Sequence, residues 1–424
     1  MRSRRSRRTR RQRVVDDRTV DALTTDAPTA EGPACPPPAF AGAPAAVGTV
    51  IDGRWSVTEV RRGGQAWVLI VDDAERGVRR AIKTPLSRAL AGDTELATLL
   101  GLAPHPHVVT TFEEITIGDS PGIVLEYVPS TLAEFLRQRR GTTDHDTLAT
   151  HTNTRAPVPD DLADVLQQVC EGMAHLSRTT EMAHLDLKPS NVLLDGAGQA
   201  KVADFGLAQQ VSIRDGRFPA ARGGTWAYAA PEVLRQEPCD IRADTFSFGV
   251  LLYEACTGRL PYPFRLAPAP DEQRAQLLEY YETSGPGSRT EELYYGLSAP
   301  TQYPVVPPST GVGQVLSSCL MQHMDERPAS FSNLATMLSR GLRRPPLQVM
   351  APPLSGIDQQ HRELTLSQVL IHLGRFDEAI NRLNRLLATT SLPRDFLAAV
   401  CRAAHDALTA TGRHAEAAAL GEGG

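Results

Sequence analysis

Three short polar stations, each between apolar runs, limit most what this chain can become: Lys83, the segment 184–191 (HLDLKPSN) and Asp204. Within six positions, 186–191, the second station holds an acid, a base and an amide, and the strand-like run Val192, Leu193, Leu194 follows. Phosphoryl transfer asks little covalent work of a protein. It needs a carboxylate to orient a hydroxyl, a cation on the moving group and oxygen ligands for a divalent metal. Asp186, Lys188 and Asn191 are side chains of those three kinds. The choice of lysine is itself informative. Of 44 basic residues only Lys83, Lys188 and Lys201 are lysines, so this chain uses arginine wherever a generic cation suffices. A compact ammonium is a different tool from a planar guanidinium fork.

The chain around these stations divides by pattern. Residues 1–13 carry eight arginines and no acid; with a net charge of −5 overall, the remainder stands at −13. Such an arm suits an acidic surface or nucleic acid, but no aromatics are interleaved to stack on bases, and a disordered tail is the plainer reading. The Ala/Pro/Thr-rich stretch up to residue 48 reads as a disordered linker. From 49 onward, runs at 56–60, 66–72 and 79–83 are apolar or alternating, with glycine-containing turns at 63–64 and 76–77, which predicts an antiparallel meander. A helix follows at 93–101, then strands at 108–113 and 122–126. From 131 the pattern is helical, with segments at 131–140, 160–177, 244–257, 271–282, 312–323 and 331–340.

Several functional classes are excluded early. The most apolar stretch, 246–256, is about half of the ~20 residues a membrane helix needs. No secretory h-region follows the basic start. The six cysteines (35, 170, 239, 256, 319 and 401) form no CxxC pair, so neither a zinc site nor a disulfide framework is indicated and reduced thiols in a cytoplasm are expected. His145 and His151 lack acids or cysteines at ligand spacing and read as solvated loop residues. The stretch 263–310, with Tyr294, Tyr295 and Tyr303, is an insertion-sized connection. After residue 345, the sequence LGRFDEA at 373–379 returns as TGRHAEA at 411–417, 38 residues on. Tetratricopeptide-type hairpins recur near 34 residues with Gly at the turn; a plain helical cap fits the same two copies equally well.

Taken together, the motifs resemble those of the eukaryotic-type Ser/Thr protein kinase family, over roughly 49–340. Lys83 ends a strand as the family's strand lysine does, and Glu95 matches its helix partner. The loop from Val60 to Val68 resembles the family's phosphate loop, with Gly63 and Ala66 at glycine positions. Glu126-Tyr127-Val128 resembles the adenine-binding hinge and places Leu125 at the gatekeeper. The segment 184–191 resembles the catalytic loop, Asp204-Phe205-Gly206 the metal-binding triplet, and Ala230-Pro231-Glu232 the end of the activation segment. Asp244 looks like the buried acid that props the catalytic loop, and Arg327 like the partner of Glu232. Asp186, Lys188 and Thr225 are thereby implied as catalytic. Val60, Gly63, Ala66, Val68, Ala81, Lys83, Glu95, Glu126, Val128 and Leu193 are implied in binding ATP, and Asn191 and Asp204 in holding Mg2+ or Mn2+. Lys188 two positions after Asp186, with Thr225 ahead of Ala230-Pro231-Glu232, favours Ser/Thr of a protein as acceptor. Small-molecule kinases lack that last segment.

Two positions depart from the resemblance. Arg61 and Ala66 stand where the first and third glycines of the phosphate loop are expected, which removes backbone freedom at Arg61 and implies weaker nucleotide binding. Leu185 precedes Asp186 where many relatives have an arginine that pairs with an activation-segment phosphate. Between Phe205 and Thr225 the only hydroxyl is Ser212. Both facts imply activity that needs no such phosphate.

The expected fold is α+β and two-lobed: a disordered 1–48; a kinase-like domain at 49–342, with an antiparallel-sheet lobe to 128 and a helical lobe from 129; then a small helical region at 355–424 open to a protein partner. The alternative function is a pseudokinase scaffold that binds nucleotide weakly and recruits partners through those last helices.

Overall fold

In the computed structural model, the alternation along 55–85 becomes two hairpins. The structure describes residues 43–63, 66–86, 100–142, 160–180, 182–204, 209–210, 225–283, 311–345, 354–389 and 392–421. The short β1 (Val50–Ile51) leads into β2 (Trp55–Arg62), β3 (Ala66–Asp73) and β4 (Val78–Pro85). With β5 (Thr111–Ile117) and β6 (Ser120–Glu126) they form one antiparallel sheet in the order β1-β2-β3-β4-β6-β5. Successive side chains on a strand face opposite ways. Leu69, Val71, Ile82 and Val124 therefore build a cluster with Trp55, Val57 and Phe112 on one face. Val68, Ala81, Lys83, Ile123 and Leu125 share the other, where Val68 pairs with Lys83, Lys83 with Ile123 and Ala81 with Leu125.

The fifth strand lies three residues later than the sequence pattern suggests. Val108 and Val109 are apolar and strand-like, but they serve another sheet. Val108 bridges Val202, and the Val109 amide donates to the Val202 carbonyl at 2.9 Å. The Val202 amide in turn donates to the His107 carbonyl at 3.0 Å. This crossing ties the sheet lobe to the helical lobe. The helix at 160–180 presses against it so closely that a Cβ on Gly172 would lie 2.2 Å from the His107 oxygen.

The helical lobe begins at β7 (Ser130–Thr131) and α1 (Leu132–Thr142), followed by α2 (Asp160–Thr180) and β8 (Met182–Ala183). Of two further strands, β9 (Val192–Leu194) lies between β7 and β10 (Ala200–Val202) and pairs with both; β11 (Gln209–Gln210) pairs with β8. Then come α3 (Pro231–Leu234), α4 (Arg242–Thr257), α5 (Pro270–Thr283), α6 (Gly311–Cys319) and α7 (Phe331–Leu342). Helix α4 is buried on all sides from Ala243 to Tyr253, mostly through apolar residues, and runs through the middle of the largest core. A helix hydrophobic all round belongs at a core centre. The helices predicted from 131 onward are present, displaced by a few residues at their ends, where 312–323 shortens most; the helix predicted at 93–101 falls outside the described residues up to 99.

The last helices are α8 (Gly356–His372), α9 (Phe376–Leu387), α10 (Arg394–Ala410) and α11 (His414–Gly421). The two sequence copies mark two identical turns. Gly374 and Gly412 take φ of 74° and 75°, a left-handed conformation open to glycine at little cost. At each turn the following arginine grips the glutamate three positions on, Arg375 to Glu378 and Arg413 to Glu416. Helix α8 packs on β5, so these helices and both lobes are parts of one compact unit from 42 to 424.

Candidate active site

The site is built around an acid buried at the start of α4. Asp244 is 1% exposed. Its two carboxylate oxygens accept the backbone N–H groups of His184 and Leu185, both at 2.7 Å. Burial is the largest influence on this carboxyl and raises its pKa, against the lowering effect of His184 and of those two N–H donors. The paired bonds hold Leu185 at φ 61°, a conformation that costs a non-glycine residue roughly 1–2 kcal/mol. With no arginine to project, the Leu185 side chain joins the core of the helical lobe.

The strained turn aims the next residues. Asp186 Oδ2 accepts from Lys188 Nζ at 2.6 Å and from Asn191 Nδ2 at 3.0 Å, while its Oδ1 accepts the Thr225 amide at 3.0 Å. Lys188 Nζ also donates to Thr225 Oγ1 at 2.7 Å. Asn191 Nδ2 bonds the Asp186 carbonyl as well, at 2.9 Å, which orients the amide and leaves Oδ1 facing away, toward Ser190 Oγ at 3.4 Å. Asp186, Lys188, Asn191 and Thr225 are thus one hydrogen-bonded set.

Two bonds join this set to the metal-triplet strand. The Ala203 amide donates to the Asn191 carbonyl at 2.9 Å, and His184 Nε2 lies 2.9 Å from the Ala203 carbonyl. His184 Nδ1 accepts the Asp186 amide at 3.3 Å, which puts the ring hydrogen on Nε2. Asp204 follows at φ 64°, and its carboxylate accepts from Lys83 Nζ. Burial works against ionisation of Asp204 more than any other single influence. The Lys83 charge and hydrogen bond, with His184 and Lys188, outweigh it and hold the carboxyl below its ordinary range.

The apolar walls sort themselves by face. Val128 clusters with Val109 and Ala203, and Leu125 and Leu193 pack against them. Val68 and Ala81 share the sheet face of Lys83. Val60 does not join them: a bulge between Val57 and Glu59 pairs it with Leu69, and it packs on the cluster of the opposite face. Arg61 then takes the place opposite Val68 and pairs with Glu59 at 2.7 Å. Gly63 and Ala66 close the hairpin through a 2.8 Å bond from the Gly63 amide to the Ala66 carbonyl. Glu95, Gly64, Gln65, Phe205, Gly206, Ser212 and Gly224 lie outside the described residues, as do residues 1–42, His145, His151, Tyr294, Tyr295 and Tyr303.

One participant was missed by the sequence reading. Lys201, buried on β10, pairs with Glu126 of the hinge at 3.1 Å, and Glu126 Oε2 accepts the Thr110 amide at 3.3 Å. The scarcity of lysine was the available signal.

Beyond the cleft, Thr225 opens a turn at Trp226–Tyr228. Tyr228 donates to Glu254 at 2.5 Å and Tyr262 to the Ala227 carbonyl at 2.7 Å. Glu232 meets Arg327 in a buried two-bond pair at 2.6 and 2.8 Å. An acceptor chain laid across this turn would bring a side chain toward Asp186.

Among the described residues no group of three His, Cys, Asp or Glu side chains could hold a metal. Asn191 Oδ1 and the Asp204 carboxylate are hard oxygen donors, two in number, and suit a cation that completes its shell with phosphate oxygens and water. The residues present fit such a group.

A family model described as the protein kinase domain matches residues 59–338. The serine/threonine-protein kinase PknL of Mycobacterium tuberculosis is 30% identical over 222 residues, 50% of this chain and 51% of that protein. The serine/threonine-protein kinase PrkC of Bacillus subtilis is 28% identical over 226 residues, 51% of this chain and 32% of that protein. Serine/threonine-protein kinase 12 of Arabidopsis thaliana is 30% identical over 195 residues, 44% and 39% of the two chains. The matches therefore span about half, or less, of those relatives' lengths.

Proposed function

Because the chain belongs to the protein kinase domain family, we propose that it transfers a phosphoryl group from ATP to Ser or Thr hydroxyls of protein substrates. The observation that carries this is the bonded set of Asp186, Lys188, Asn191 and Thr225. A carboxylate offers roughly four lone-pair positions. Three at Asp186 are occupied, and the open one, on Oδ1, receives the acceptor hydroxyl and orients it as general base. Lys188 stays beside that carboxylate and offsets charge that builds on the moving group. Asn191 and Asp204 hold Mg2+ or Mn2+, and Lys83 holds the phosphates once it is exchanged from Asp204. Leu125, Val128 and Leu193 line the place for the purine. Bound ATP and its cation supply the transferable group.

The domain division at 49–342 and 355–424 belongs to the same reading, with the two matching hairpins at 374 and 412 as a tetratricopeptide-like surface for a protein partner. Scattered cysteines, five of them free among the described residues, support a reducing, cytoplasmic setting. No described helix is long and apolar enough to cross a membrane. Arg61, bound to Glu59 at the phosphate loop, favours the second reading, a scaffold with weak nucleotide affinity.

Labelled ATP and a generic basic protein substrate separate the two. The expected result is label on Ser/Thr with the parent chain, none with Lys83→Met, and a loss of at least about a hundredfold with Asp186→Asn at unchanged melting temperature. Nucleotide binding without any transfer by the parent chain establishes the scaffold instead, and near-parental transfer by Asp186→Asn removes the role given to Asp186.

A further inference from the structure

Helix α8 grips the sheet at the strand that ends it. β5 is the last strand in the sheet order, and an uncovered edge is a liability that proteins cover or charge. The grip is polar at the start of α8. Asp358 accepts from Arg80 Nη2 on both oxygens at 3.1 Å, and the Arg76 Nε lies 2.8 Å from it as an ion pair. Ser355 caps the helix through the Asp358 amide at 3.0 Å. His361 Nδ1 lies 3.2 Å from Glu113, which also pairs with Arg54 at 2.9 Å. One turn on, Arg362 Nη2 donates at 2.6 Å to the Leu102 carbonyl.

The grip then becomes apolar and changes face. Leu354, just ahead of α8, packs on the cluster of the outer face, the one opposite Lys83. Leu366, Val369 and Leu370 pack with Leu100 and with Ile123, which is on the cleft face. Ile123 is the register partner of Lys83. Leu100 is the first described residue after 86, five positions on from Glu95 in the sequence. One helix and the residue ahead of it thus reach both sheet faces and Leu100.

The anchoring charges are nearly dry. Asp358, Arg76 and Arg80 have side-chain exposures of 11%, 7% and 12%. Removing one member of a buried charged group leaves the others uncompensated, so the contact is made as a whole or lost as a whole. A surface cap with no functional role would need neither the burial nor a reach to both faces.

We propose that α8 is a brace for nucleotide binding, with Asp358 and Arg362 as positioning residues. They act through β4, through Ile123 on β6 and through the 100–102 turn to hold Lys83 in the arrangement that receives phosphates. This rests on the kinase reading of the cleft only for what the nucleotide is used for.

The test uses the full chain with Arg362→Ala, Arg362→Lys and the isosteric Asp358→Asn. Affinity for Mg-ATP is measured by displacement of a fluorescent nucleotide, beside KM for ATP, kcat and thermal unfolding. Arg362→Ala and Asp358→Asn are expected to weaken ATP binding about five- to tenfold, at the lower end of usual coupling between sites. At saturating ATP their kcat stays within about twofold of the parent, and Arg362→Lys, which keeps a donor for Leu102, regains most of the affinity. ATP affinity equal to the parent's in the folded variants, with only kcat or melting temperature lowered, overturns the proposal and leaves α8 a structural cap. Equal impairment of Arg362→Lys and Arg362→Ala overturns the role given to the Leu102 bond. A parent chain that binds ATP without turning it over defeats the kinase reading alone, because the brace is then judged on affinity.

Discussion

The loop at 184–191 and the strand ends at 60–63 and 66–68, both parts of the proposed ATP site, are held in opposite ways. In the loop, backbone amides end on a carboxylate that is 1% exposed, and a leucine is kept at φ 61° against its preference. In the hairpin, the most prominent side-chain contact is the Arg61–Glu59 pair, with exposures of 45% and 49%, a kind worth about 0–1 kcal/mol. The loop is therefore shaped before any ligand arrives. The hairpin's shape rests on strand register and on whatever it closes over. On the proposed reading, chemistry sits in the rigid part and affinity in the adjustable one.

The comparison breaks most visibly at Asp244. Asp244→Asn leaves one of the two backbone N–H groups facing an amide donor, at a cost of about 2–3 kcal/mol. Urea unfolding should record that loss, and kcat should fall at least tenfold with little change in KM for ATP. A variant of unchanged kcat would mean that Asp244 does not shape the loop. On the other side, Arg61→Gly should leave stability and kcat nearly alone and lower KM for ATP about two- to fivefold, as the strand regains glycine freedom at that position. A rise in KM would show that Arg61 itself assists the nucleotide. The smallest effect is the sharpest. If Asp244 alone sets the loop, Ser212→Ala keeps full activity; a loss there restores a phosphate switch that Leu185 cannot read.

Most of the candidate site was legible because its residues lie in short, chemically specific stretches. Asp186, Lys188, Asn191, Asp204 and Thr225 had their types and order in view, and only their convergence needed three dimensions. What stayed hidden depends on phase or on distance. A one-residue bulge turned Val60 to the opposite face, since strand periodicity is two and any insertion reverses it. Val108 and Val109 have the composition of a fifth strand and were taken up by the crossing to β10 instead. Lys201 was noticed as rare, yet nothing local pointed to Glu126, 75 positions earlier. The docking of α8 was the least legible, because Arg80 and Asp358 are 278 residues apart and each alone is an ordinary surface charge.

That last separation has a consequence in time. Glu113 is synthesised 248 residues before His361. At roughly 5–20 residues per second, the strand that ends the sheet waits on the order of tens of seconds for the helix that covers it. During that interval the nascent chain carries an open strand edge and bare Ile123, a natural substrate for chaperones. If α8 braces the cleft as proposed, a nascent chain gains its affinity for ATP only once residues 354–372 have been made, and a product that stops short of them binds nucleotide poorly.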